Sequence, residues 1–436
     1  MHNACHQHGP GPGPILAARV GPALSTGQAG CDVCLAAAKG WDDYVSRAFH
    51  GRTQILNTGE AIADALGYCA DHAARLSGMP SLAAPISAAF GHGVMLVQRL
   101  LDEAFFQEER LQRMVFGAGM ACPACRFESQ RAAREFAKTR RTDGKVEHHE
   151  WTCFHHQLAM GRLMAPAAQM EWLAECDRWL GREARSAANH CDGARDILAR
   201  LMGEHAISAR AIPGHMACGD DIADLIGHPD ACPLCRWQDA ATLRWLNDVA
   251  LAGRFGEGGW LLFPNCAVHT GFVLGLATPV LDMALAEHAL GVARAKLHRE
   301  MAAVAACLMP QTAPRPRRLP RGRWLPRQTN GRRRRESRPL RCPGCEREAV
   351  AVERAAGTLL ELLNAPRWRK VFADGHGLCM KHFAFVLPLA PEGIVRTWLV
   401  ADQRARLGRL RDGLDTAPSD AWRAALLRFS GDRRSG

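Results

Sequence analysis

One residue pattern recurs four times along the chain and limits what it can fold into: C-x2-C, a spacer of about thirty residues, then C-x2-H. The first pairs are Cys31/Cys34, Cys122/Cys125, Cys232/Cys235 and Cys342/Cys345. The second pairs, in the same order, are Cys69/His72, Cys153/His156, Cys266/His269 and Cys379/His382. The spacers are 34, 27, 30 and 33 residues long, and successive cassettes start 91, 110 and 110 residues apart. A pattern with this period marks a chain of successive similar units. Its 436 residues also exceed what one ordinary core encloses.

Thiolates and imidazoles at these spacings point to metal. Two ligands three positions apart on the first turn of a helix face the same point. The two pairs of one cassette converge if the helix between them folds back, which a gap of about thirty residues permits, giving each unit a Cys3His set. That set fills all four positions of a tetrahedral structural zinc ion. Helix N-termini help, because their positive dipole ends stabilise the thiolate form that binds metal. The expectation is about four zinc ions per chain, with an iron–sulfur cluster as the second reading, since thiolate-rich sets also hold clusters. Copy two offers both His155 and His156 after Cys153, and register with the other copies selects His156. Of the remaining cysteines, Cys176, Cys191 and Cys307 lie in helical contexts and read as small buried hydrophobes. Cys5 lies beside His6 and His8 in a polar tail, and His215/Cys218 form one further H-x2-C pair.

The fold class expected is mostly α, four helical units with metal ligands at helix N-termini. Three of the first pairs read C-P-x-C, and Pro inside the first turn suits a helix start because its missing N–H has no intrahelical partner. A Pro follows each ligand His by eight to ten positions, at Pro80, Pro166, Pro279 and Pro391, where the second helix is expected to bend and run on. Val94, Val97, Leu101 and Phe105 keep the spacing of one helical face, as do Val352, Leu359, Leu362 and Leu363. Alternating β-branched runs are scarce, so strands should be minor. The units are expected at 26–115, 116–214, 215–310 and 342–428. Between the last two lies an Arg/Pro-rich linker, 311–341, and disordered tails are expected at 1–25 and 429–436.

The charge is as local as the metal pattern is periodic. Residues 313–341 hold twelve Arg and one Glu, carrying the whole formal charge of +11 and leaving the rest of the chain neutral. A nucleic-acid partner is therefore an expectation for this segment alone, through Arg315, Arg317, Arg318, Arg321, Arg323, Arg332, Arg333, Arg334 and Arg335. The other reading is a solvated spacer. No secretory signal and no uninterrupted apolar span of membrane length is read, and 17 Cys in paired spacings suit a cytoplasmic metal protein better than a disulfide framework. The phosphate-binding loop, the H-E-x-x-H zinc protease helix and the G-x-S-x-G elbow are all missing from the sequence, which points to binding rather than catalysis.

The segments ACPLC…NCAVH and especially RCPGC…GLCMKH resemble a bacterial family of uncharacterised helical proteins that carry C-P-x-C followed by G-x-C-x-x-H and a long helix. Copy four matches best, with Gly377, Cys379 and His382. Copy one keeps Gly67 but has Asp32 in place of Pro, and copies two and three lack the Gly. The resemblance covers the four cassettes, roughly 160 residues. It implies a helical metal-binding domain and no particular activity. The functional expectation is a non-enzymatic, multi-site zinc-binding scaffold or adaptor with a protein partner of unknown identity. The alternatives are a redox- or metal-responsive protein and a nucleic-acid-binding protein acting through the Arg run.

Overall fold

The structure is a computed structural model that describes residues 31–103, 122–139, 153–162, 164–189, 194–202, 225–255, 263–264, 266–276, 279–308 and 342–431. The Arg run with its nine candidate contacts, the N-terminal tail, Phe105, Cys5, Cys191, His215 and Cys218 lie outside the described residues. Among the described residues there are sixteen α-helices and no strand. Unit one comprises α1 (Asp32–Ala48), α2 (Arg52–Ala65), α3 (Ala70–Ser77) and α4 (Ala83–Glu103). Unit two holds α5 (Pro123–Thr139), α6 (Phe154–Gly161), α7 (Pro166–Asn189) and α8 (Ala194–Met202). Unit three holds α9 (Pro233–Phe255), α10 (Ala267–Gly275) and α11 (Pro279–Leu308). Unit four holds α12 (Pro343–Leu363), α13 (Pro366–Asp374), α14 (Met380–Val386), α15 (Ile394–Thr416) and α16 (Pro418–Ser430).

Every ligand pair opens a helix. The carbonyl of the first cysteine accepts the N–H four residues on in all eight pairs, from Leu35 N to Cys31 O at 2.8 Å through Phe383 N to Cys379 O at 2.8 Å. The first cysteine thus sits at the helix boundary and the second ligand one turn inside. The prolines after the ligand histidines do not bend a continuous helix, as the sequence suggested. They separate two helices: Pro166 and Pro279 open α7 and α11, Pro80 opens a 3₁₀ turn ahead of α4, and Pro391 precedes α15. The short ligand-bearing helices end three to five residues before these prolines, and at Pro80, Pro166 and Pro279 the fixed φ and missing N–H of proline suit the first position of the next helical segment.

The helices close the four units into a ring. α1 lies antiparallel to α5: Tyr44 and Arg47, late in α1, meet Phe127 early in α5, while Phe136, late in α5, packs on Cys31, Val33 and Cys34. α9 and α12 form the matching antiparallel pair, with Asp248 bonded to Arg347 and Gln238 to Glu348. α7 of unit two packs along α11 of unit three, around Trp172, Leu173, Leu180, Leu281, Leu285 and Leu297. α4 of unit one packs against α15 and α16 of unit four, burying Phe90, Val94, Val97, Leu101, Leu407, Trp422 and Phe429. By length and composition the segment Pro80–Asp102 could cross a membrane. Here Ile86, Ala89, Phe90, Val94 and Val97 from it are fully buried in protein.

Close packing explains the two glycines of the G-x-C-x-x-H motif, at the seam between units one and four for Gly67 and within unit four for Gly377. Gly67 has φ +103°, and a Cβ there would stand 2.8 Å from Cβ of Phe429. Gly377 has φ +72°, and a Cβ would stand 2.5 Å from Nε of Arg406. Both positions need left-handed backbone and close approach, which only glycine supplies without strain. Pro264 holds the equivalent place in copy three and cannot adopt positive φ. Tyr44 and Tyr68, the only tyrosines in the chain, bond to each other through their hydroxyls at 2.7 Å beneath this seam. Residues 429–431, expected in a tail, are instead packed against the fold. Phe429 is fully buried, Ser430 Oγ accepts from Tyr68 N at 3.2 Å, and a Cβ on Gly431 would lie 2.9 Å from Sγ of Cys235.

Candidate metal centres

All sixteen expected ligands gather into four sets, each of three cysteines and one histidine, with ligand atoms within 4.8 Å of one another. The partners differ from the expectation that each cassette closes on itself. Cys31 and Cys34 meet Cys153 and His156 (site I), whereas Cys122 and Cys125 meet Cys69 and His72 (site II). Likewise Cys232 and Cys235 meet Cys379 and His382 (site III), and Cys342 and Cys345 meet Cys266 and His269 (site IV). Units one and two exchange their second pairs, and units three and four do the same.

Helix length gives the reason. α1 has 17 residues, so its far end lies about 25 Å from Cys31 at 1.5 Å per residue. α2 does not carry the chain back along α1; its apolar face packs on α4. Cys69 therefore arrives at the far end of α1. The antiparallel α5 starts there, which puts Cys122 and Cys125 within reach. Each antiparallel helix pair thus carries a site at either end, one at the N-terminus of each member.

The spacings suit a single ion. Ligands in tetrahedral array around zinc, with Zn–S about 2.3 Å and Zn–N about 2.0 Å, stand about 3.8 Å apart sulfur to sulfur and about 3.5 Å sulfur to nitrogen. The Sγ–Sγ distances are 3.8 Å for Cys34–Cys153, 3.7 Å for Cys69–Cys125, 3.8 Å for Cys235–Cys379 and 3.5 Å for Cys266–Cys345. Every histidine turns Nδ1 to the sulfurs, at 3.1 Å from Cys153 Sγ and from Cys69 Sγ, 3.4 Å from Cys379 Sγ and 3.3 Å from Cys266 Sγ.

The four sites fall into two kinds that alternate around the ring. In sites I and III all three cysteines are buried and the histidine is half-buried. In sites II and IV the histidine is buried and two sulfurs face outward, with Cys345 the most exposed. His72 Nε2 donates to Glu128 at 3.0 Å, and His269 Nε2 donates to Glu348 at 3.1 Å. Trp41 stacks on His72 with ring centroids 4.9 Å apart, and Trp245 meets His269 edge-on at 4.9 Å. At site IV the imidazole also lies over Gly344, where a Cβ would come within 2.6 Å of Nε2. Any side chain at residue 344 would displace the ligand.

Without metal, these clusters hold a proton on the imidazole. Burial opposes the charge on His72, but hydrogen bonds with Cys122, Cys69 and Glu128 outweigh it and push it up to about 11. His269 is likewise raised to about 11, against burial, by Cys266, Cys342 and Glu348. His156 rises only to about 9, as hydrogen bonds with Cys153 and Cys31 overcome the opposing effect of burial. Cys122 moves in the opposite direction, held low by hydrogen bonds from Cys125 and Cys69. An ion entering the cluster must displace the imidazole proton, so uptake is favoured as pH rises.

Glu128 and Glu348 escape a search for ligand spacings, yet the sequence contains their signal. Each lies six residues after the first cysteine of its copy, where copies one and three have Ala37 and Gln238. His155 is exposed and takes no part in site I, in keeping with the register that selects His156. Cys176 is fully buried, with its thiol pushed up to about 12 by burial. Cys307, expected to be buried, is instead exposed near the end of α11.

The arrangement yields an ordered prediction of thiol reactivity. In the fully zinc-loaded protein under limiting maleimide Cys345 should label first among the twelve ligand cysteines, and Cys235, 2% exposed, among the last. Peptide mapping by mass spectrometry reads the order, and uniform labelling would contradict the described burial. No family model, no curated protein and no solved structure matches the chain, so the likeness to the bacterial C-P-x-C…G-x-C-x-x-H family rests on the cassette residues alone.

Proposed function

We propose that the chain is a four-zinc scaffold, in which the ions lock units one to two and three to four while apolar helix contacts close the ring. The observation that carries the reading is the spacing of the four Cys3His sets, close to that of ligands sharing one tetrahedral ion. A four-iron cube would hold its thiolates on separate irons, farther apart than sulfurs that share an ion, which favours zinc over a cluster. Four protein ligands also leave no open position for substrate, which favours binding over catalysis. The assembled ring is what the scaffold offers a partner. Native mass spectrometry of reduced, unchelated protein should find four zinc ions per chain; zero or one would overturn the reading, and iron with visible absorbance would turn it toward clusters.

The Arg run serves in this reading as a spacer between α11 and α12, long enough for unit four to reach sites III and IV. A neutral Gly/Ser segment of equal length should then replace residues 315–338 with all four ions retained. The intact protein should show no binding to random duplex or RNA at about 150 mM salt. Tight binding that weakens steeply with salt and vanishes in the replacement would make the segment a phosphate-gripping arm instead.

A further inference from the structure

We propose that Glu128 and Glu348 are positioning residues for the ligand histidines, and that they divide the four centres into a tight pair, sites II and IV, and a weaker pair, sites I and III. The proposal rests on the four-zinc reading. Its ground is an alternation that metal ligation alone does not require.

An imidazole binds a metal through Nδ1 only when the proton is on Nε2. At sites II and IV a carboxylate accepts that Nε2–H, at 3.0 and 3.1 Å, so the ring is held in the ligating tautomer and orientation, and Nδ1 is made a better donor. Glu348 is itself fixed: it is 7% exposed and accepts from Thr242 Oγ1 at 2.6 Å and Gln238 Nε2 at 2.9 Å. These donors come from α9, the helix antiparallel to its own. Glu128 has Arg75 at 3.6 Å, and that guanidinium also covers the outer face of Trp41. His72 and His269 are 4% and 1% exposed, so neither ring can swing to water. His156 and His382 are half-buried, and among the described residues neither Nε2 has a carboxylate within hydrogen-bond distance. The sequence carries the same split, with Glu at the sixth position in copies two and four and Ala or Gln in copies one and three.

The test equilibrates the zinc-loaded full chain against graded zinc buffers and counts ions by native mass spectrometry. Two ions should leave in one step and two in another at about tenfold or more lower free zinc, the size of effect such outer carboxylates exert. Alkylation of the two-ion species should mark the cysteines of sites I and III. Glu128→Ala and Glu348→Ala should each move one ion into the weak class, with Glu→Gln, which keeps an acceptor, falling between. The Nε2–H resonances of His72 and His269 should be visible and slow to exchange in the loaded protein. In a Glu→Ala variant the signal of that one histidine should be lost, with helicity unchanged, which a merely structural glutamate would not produce. Loss of all four ions in one step, early loss from sites II and IV, or Ala variants with unaltered affinity and tautomer would overturn the division while leaving the four-zinc scaffold standing. A chain that takes up no zinc would defeat the scaffold itself.

Discussion

Replacing Cys235 by Ser should release Cys379 and His382 from their site, 144 and 147 residues away, and leave Cys266 and His269 of the same cassette undisturbed. Cys235 is 2% exposed, with Cys379 Sγ at 3.8 Å and His382 Nδ1 at 3.3 Å. Structural zinc contributes apparent binding free energy of about 10 kcal/mol or more in peptides that fold around it, so losing one thiolate removes a large share of what holds α9 to α14. The expected result is three ions per chain, with amide protection lost together at the start of α9 and in α14. Cys176→Ser should keep all four ions, because Cys176 belongs to none of the four ligand sets, bonds to Gln157 Oε1 at 3.6 Å and lies in the core of units two and three. Exposure of Cys266 and His269 in the Cys235 variant would restore the pairing within one cassette and refute the exchange.

That exchange marks where the sequence stops being informative. The sixteen ligands were legible because each type recurs at one spacing, and so were the helix starts, because Pro123, Pro233 and Pro343 stand where only a first turn accepts proline. A spacer of about thirty residues is long enough to return to its own start or to reach a neighbour, so it leaves the partners open. The choice is made by α2, whose apolar face finds α4 rather than α1, a tertiary preference that no local pattern encodes. The closing of the ring was equally hidden. It depends on Val94 and Val97 meeting α15 and α16 some three hundred residues on, and the helical periodicity at Val94 and Val97 shows only that the face must be covered. Cys307 was misread because a helical context alone does not say which face of the helix is covered, and it is exposed.

Arg406→Leu should cost unit four about 3–5 kcal/mol, the range for removing one partner of a buried ion pair. Arg406 is 5% exposed, and its guanidinium ends α13 from a distance in sequence. Nη2 donates to the carbonyls of Phe372 at 2.7 Å and Ala373 at 3.2 Å, and Nη1 to those of Gly375 at 2.7 Å and His376 at 2.8 Å. Nε donates to Asp402 Oδ2 at 2.7 Å, one turn earlier on α15. The last carbonyls of a helix have no intrahelical partner, and a cation there satisfies them and complements the dipole. Leucine would fill part of the volume but strand these acceptors and leave the Asp402 carboxylate buried without its charge partner. Adding Asp402→Asn should recover part of the loss, because it removes the uncompensated charge though not the unpaired carbonyls. The effect should also reach the metal. Gly377 sits against this guanidinium two residues before Cys379, so slackening the turn loosens the approach of α14 to site III. The measurement is denaturant unfolding of the zinc-loaded protein beside zinc affinity per site: a lowered midpoint with site III weakened and site II unchanged is expected, and a loss below about 1 kcal/mol, typical of a surface pair, would show that the guanidinium does not close this end of the helix.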